Sequence, residues 1–164
     1  MSNDLKLKNV VVAIDPLESN QYSLKRALKM NDVLDGGINI HLFISLEMDK
    51  LHKMHDTFEF SCDGEWFNEL VKPMVDAGID YTSEVIWTDA WHRSIAETCK
   101  KYDADLVIIS DYATEDGRTD LTPSKWSLLR ASVCPVLVVH PQSTLTRNTI
   151  LSAVNMQTDN PRYV

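Results

Sequence analysis

The chain alternates short apolar runs with segments whose apolar residues recur at helical spacing. Val10–Ile14 is a continuous apolar run closed by Asp15-Pro16, the pattern of a strand buried on both faces. Ser19 is the expected N-cap of the next helix, with Leu24, Ala27, Leu28 and Leu34 as its inward stripe and Gly36-Gly37 as its stop. Ile38–Leu46 reads as a second strand, with Ile38, Ile40, Leu42, Ile44 and Leu46 on one face and Phe43 on the other. Residues 47–63 carry no clear period. A helix is predicted over 64–77, with Phe67, Leu70, Val71 and Met74 inward; Pro73 should kink or divide it and Gly78 should end it. Ile79–Trp87 follows as a third strand. Thr88 or Asp89 then suits the cap of a helix carrying Trp91, Ile95, Cys99 and Tyr102. Leu106–Ile109 is the fourth strand and Val136–Val139 the fifth. Between them Thr122 as N-cap and Pro123 at the first helical position make a favoured helix start, followed by Trp126, Leu128 and Leu129.

Short apolar strands joined by helices argue for an α/β fold with a doubly wound parallel five-stranded sheet. Such sheets bind ligands beyond the carboxyl ends of the strands, where strand order reverses. Two strand ends carry polar chemistry there: Asp15 after the first, and Ser110-Asp111 after the fourth. The loop that follows Ser110 is where a nucleotide phosphate would sit. Glycines let backbone N–H groups approach phosphate oxygens, and a helix start adds a favourable dipole. This loop keeps only Gly117, between Asp116 and Arg118.

The 164 residues suit a single domain with a full core, 44% being hydrophobic and 24% charged. The net charge of -8 opposes general binding of nucleic acid, and the longest basic run is Lys100-Lys101. The cysteines Cys62, Cys99 and Cys134 are widely spaced, and Cys99 and Cys134 sit in apolar patterns. That usage fits a reducing, cytoplasmic compartment. No apolar run precedes the first strand, so no signal peptide is expected, and none approaches the roughly 20 residues of a membrane span.

The tail resembles the start of the chain. Asn9–Asp15 aligns with Asn148–Asn155, placing Ala13-Ile14-Asp15 on Ala153-Val154-Asn155 and Ser19-Asn20 on Asp159-Asn160. The expected organisation is a domain over 1–140, a linker over 141–148, and over 149–164 the first strand of a second, incomplete domain. The competing reading is a coincidental C-terminal strand.

Val10–Asp15, Asp105–Ser110 and Ser127–Val139 together resemble the universal stress protein family, over residues 8–140. Val85–His92 and Leu121–Arg130 are similar to its tandem, E-type branch. The resemblance implies the sheet order 3-2-1-4-5 of adenine-nucleotide α-hydrolase-like folds. It implies pairing through strand five, with a second copy or a second domain, and a cytoplasmic stress-response role rather than an enzymatic one. In nucleotide-binding members the loop after strand four reads Gly-x-x-Gly, a spacer, then Gly-Ser. The matching positions here are Ser110, Ala113, Thr122 and Pro123, so all three glycines are replaced and Pro123 has no N–H, while Ser124 beside them offers a hydroxyl and Arg118 a charge. Asp15 matches the family's ribose- and adenine-side acid, and Ile44 its adenine-side backbone position. Neither ATP nor AMP is therefore expected as a cofactor. The degenerate site is Asp15, Ile44, Ser110, Ala113, Gly117, Thr122, Pro123 and Ser124. It remains open to a nucleoside or an apolar ligand.

Other residues carry weaker chemistry. Asp15 suits a ribose or, equally, nearby loop and helix-start N–H groups. His52, His55 and Cys62, beside Asp49 and Asp56, lack a familiar ligand spacing, so no metal site is expected. Ser124, His140 and Asp15 lack the Gly-x-Ser-x-Gly elbow of a hydrolase. Trp66, Trp87, Trp91 and Trp126 suit packing, or a cavity lined by Trp87 and Trp126.

Overall fold

The computed structural model describes residues 7–34, 37–47, 64–112 and 122–141. They form β1 (Asn9–Ile14), α1 (Tyr22–Val33), β2 (Asn39–Leu46), α2 (Gly64–Asp76), β3 (Tyr81–Trp87), α3 (Trp91–Lys101), β4 (Leu106–Ser110), α4 (Pro123–Ala131) and β5 (Val136–Val139). The five strands make one parallel sheet in the order β3-β2-β1-β4-β5, as expected. The central position of β1 explains its unbroken apolar run, because it has a strand on each side and a helical layer on each face.

Two cores sandwich the sheet. Val10, Val12, Ile14, Ile40, Leu42 and Ile44 face α1 and α2, whose Leu24, Ala27, Val71 and Met74 pack on them. Val11, Phe43, Val107 and Ile109 face α3 and α4, against Ile95, Cys99 and Leu128. The alternation of β2 thus sorts its side chains between the layers as the sequence predicts.

Helix ends depart from expectation in instructive ways. The N-cap of α1 is Gln21 rather than Ser19, and it makes no capping bond to the helix. Instead the Gln21 amide donates to the carbonyls of Asp15 at 2.6 Å and Glu18 at 2.8 Å, and its Oε1 accepts from Asp15 N–H at 3.3 Å. This braces the β1–α1 loop, so the helix starts later than a simple Ser cap would place it. Leu34 lies beyond the last turn, 47% exposed, and leaves the inward stripe. Pro73 does not divide α2. Its missing N–H faces the exposed side of the helix, where water can take the Glu69 carbonyl. Ala90, not Thr88 or Asp89, is the N-cap of α3, although Thr88 Oγ1 accepts from Ala90 N–H at 3.0 Å.

Gly78 ends α2 at φ +64, with Gly78 N–H on Val75 O and Ile79 N–H on Met74 O. The same paired bonds end α3, from Asp103 N–H to Lys100 O and Ala104 N–H to Cys99 O, but here a non-glycine residue, Asp103, takes the left-handed position at φ 46. Among the described residues no helix is long and apolar enough to cross a membrane. The proposed repeat at 148–160 lies outside the described residues, as does residue Gly36 of the expected α1 stop.

Candidate functional site

A cleft of about 350 Å³ opens at the carboxyl ends of β1, β2 and β4, beside the point where strand order reverses. Its walls come from strand ends and helix starts, because both point polar groups toward this edge of the sheet. Asp15, Glu18, Ser45, Glu47, Ser110 and Tyr112 line it, with Thr122, Ser124 and Lys125 from the start of α4 and Trp91 from the start of α3.

Four of the expected site residues meet here: Asp15, Ser110, Thr122 and Ser124. Ile44 does not reach the cleft. It is fully buried in the core, paired with Ile14, and its neighbour Ser45 lines the cleft in its place. Pro123 is exposed at the first position of α4 and is not part of the lining. Ala113 and Gly117 lie outside the described residues, together with Arg118 and the His52, His55 and Cys62 group. Among the described residues no His, Cys, Asp and Glu cluster could hold a metal.

Each polar group at the cleft has local work. Asp15 Oδ1 accepts from Leu17 N–H at 3.1 Å, closing a tight turn after β1. Ser110 Oγ accepts from Ser23 N–H at 2.9 Å, and Ser23 Oγ in turn donates to Ala13 O at 2.5 Å. The ends of β1 and β4 are thereby tied to the first turn of α1. Tyr112 packs on Tyr22 with ring centres 6.0 Å apart and donates to Gln21 Oε1 at 3.4 Å. Burial pushes the Tyr112 phenol up to about 12, with the nearby Asp15 and Glu18 carboxylates adding to it, so the ring is a neutral donor at the cleft.

The start of α4 is the place a phosphate would need. Thr122 is the N-cap as expected, its Oγ1 accepting from Lys125 N–H at 3.4 Å. Of the first-turn donors, Pro123 has no N–H and that of Lys125 is taken. Lys125 supplies the one ammonium among the described lining residues, and it is paired with the Asp111 carboxylate. Sequence reasoning passed over this pair. Its signal was present, an acid just past the apolar run of β4 and a lysine one turn into α4, both at the same edge of the sheet. Trp87 and Trp126 do not line the cleft: they are 63% and 50% exposed, and Trp91 takes that place. Ser124 and Asp15 share the cleft, but His140 is not among its lining residues.

No protein-family model matches the chain. It is 28% identical to Universal stress protein E of Escherichia coli K12 over 95% of its own length and 52% of that protein's. The chain therefore spans about half the length of the curated relatives it matches. A universal stress protein from Archaeoglobus fulgidus superposes with a TM-score of 0.57 at 16% identity, covering 80% of this chain and 97% of that one. A universal stress protein solved in complex with cAMP does so with a TM-score of 0.55 at 18% identity, covering 82% and 97%. In sequence the chain resembles the E-type universal stress proteins across nearly all of its length, and its fold is the one that universal stress proteins adopt.

Proposed function

We propose that this chain is a non-enzymatic domain of a cytoplasmic stress-response protein, one that does not bind ATP. The resemblance to E-type universal stress proteins supports the role. The start of α4 carries the reading on ATP: Pro123 offers no donor, Lys125 N–H is taken by Thr122, and the Lys125 ammonium faces Asp111. A triphosphate needs several such donors at once. Isothermal titration with ATP and Mg²⁺ tests this, and no saturable heat is expected. Micromolar binding would overturn it. The neighbour solved with cAMP makes the cyclic nucleotide a necessary second ligand in that titration.

A second reading, a small-molecule binding module, is favoured by the cleft itself. Its volume of about 350 Å³, the Trp91 ring and several hydroxyls suit a compact, partly apolar ligand. Native mass spectrometry of freshly purified protein should then show a co-purified species, and a clean unliganded mass counts against it.

Pairing through β5 belongs to the same proposal. β5 is an edge strand, and Val136, Leu137 and Val138 on it are only half-buried. Sedimentation at high concentration should show association, and a pure monomer would argue against it.

A further inference from the structure

We infer that the Asp111–Lys125 ion pair sets the charge preference of the cleft, restricting it to an uncharged ligand of nucleoside class and excluding the same ligand once phosphorylated. This rests on the small-molecule reading of the same cleft.

Lys125 is the cation that a phosphate would seek, since it lines the cleft at the start of α4. Its ammonium is already neutralised. The Lys125 side chain is 12% exposed and that of Asp111 is 7% exposed, so the pair is held largely out of water. An incoming phosphate would have to displace the carboxylate and leave it buried without its partner, which is costly at low dielectric. The Asp111 backbone N–H donates to Val139 O at 2.8 Å on β5, which holds the main chain of Asp111 at the end of β4, beside Lys125. The carboxylate thus acts as an internal substitute for a ligand anion.

The remaining lining has the opposite preference. Asp15, Glu18 and Glu47 contribute carboxylates, while Ser45, Ser110, Tyr112, Thr122 and Ser124 contribute hydroxyls. Carboxylates and hydroxyls bind the hydroxyls of a sugar well and repel a phosphate. The Trp91 ring offers a flat apolar face.

The test is calorimetric titration of the full chain with adenosine, AMP and ATP with Mg²⁺ at fixed ionic strength, for the unaltered protein, Asp111→Asn, and Asp111→Asn with Lys125→Met. The unaltered protein should bind adenosine at least tenfold more tightly than AMP. Asp111→Asn should gain at least tenfold for AMP, and adding Lys125→Met should remove that gain. A folded Asp111→Asn with no gain for AMP overturns the role of the pair, and failure of adenosine to bind overturns the ligand class. Micromolar ATP binding by the unaltered protein instead overturns the reading above it, whatever the variants do. Unpairing Lys125 also weakens the fold, so thermal melting of Asp111→Ser with inorganic phosphate gives a second readout. Phosphate should raise its melting temperature more than that of the unaltered protein, and equal shifts overturn the inference.

Discussion

The Ser110 hydroxyl accepts a hydrogen bond from the Ser23 backbone N–H at 2.9 Å, fastening the end of β4 to the first turn of α1. Both residues are buried, so this N–H has no water to fall back on. A position that the family resemblance assigns to a ligand loop is therefore also a fold contact. Ser110→Ala should cost about 1–3 kcal/mol by orphaning the Ser23 donor. Urea denaturation measures it, and a midpoint unchanged from the unaltered protein would show that the donor finds another partner.

A pH dependence follows from the buried His41. Its Nδ1 lies 2.6 Å from Thr82 Oγ1 and its ring stacks on Tyr102 with centres 3.6 Å apart. Nε2 sits 3.3 Å from Glu84 Oε1, within ion-pair range but off the line of a formed hydrogen bond. Burial lowers the His41 pKa from 6.5, outweighing the upward pull of Glu84, and Lys101 lowers it further. A depressed folded value means that the unfolded chain takes up the proton first, so stability is full above 6.5 and is lost as pH falls below it. The urea midpoint should decline over that window, and His41→Gln should flatten the decline. An unchanged slope in the variant would assign the effect elsewhere.

Glu84 acts in a lower window. Burial raises its pKa, but hydrogen bonds from Thr98 and Lys101, with the nearby His41 ring, more than offset this and hold it below 4.5. Its stabilisation is present above 4.5 and is lost as pH falls through the lowered value. Glu84→Gln should weaken the protein at neutral pH and reduce its further loss in acid. Denaturation curves at neutral and acidic pH, compared between the two proteins, check this.

Asp103 holds a left-handed conformation at φ 46 where α3 ends, a position glycine fills at lower cost. Relief of about 1–2 kcal/mol of strain is partly offset by the greater freedom glycine has when unfolded. Asp103→Gly should therefore stabilise the protein by up to about 1 kcal/mol, read as a raised melting temperature. A fall would show that the Asp103 side chain makes a contact worth more than the strain.

Cys99 and Cys134 are buried on the α3–α4 side of the sheet, unlinked by a disulfide. Their mutual hydrogen bond and burial push the Cys99 thiol far up, so it is not a thiolate at neutral pH. Neither should react with a thiol reagent in the native state, and both should react once denatured. Peptide mapping after labelling separates them from Cys62, and native labelling at Cys99 would contradict the packing.

The apolar patterns were enough to find the five strands of the sheet; β1, β2 and β4 stand out because burial on both faces leaves a nearly unbroken apolar run, while β3 and β5 at the edges are less buried. Val136–Val139 and the Thr122-Pro123 helix start stand as read. Local chemistry settled these: an N-cap and a proline act within one turn. The start of α1 was misread because Gln21 reaches back to Asp15 and Glu18, a loop bond that competes with the capping preference of Ser19.

The cleft divides the same way. Sequence alone determined that β1 and β4 end in polar residues and that Pro123 brings no N–H to the start of α4, since a residue's own covalent structure fixes its donors and acceptors. Only the tertiary structure decided that Lys125 faces Asp111, that Ser110 serves Ser23, and that Trp91 rather than Trp87 or Trp126 meets the cleft. Those facts depend on distances between elements far apart in the chain, and hydrophobic periodicity carries no information about which polar groups such packing brings together.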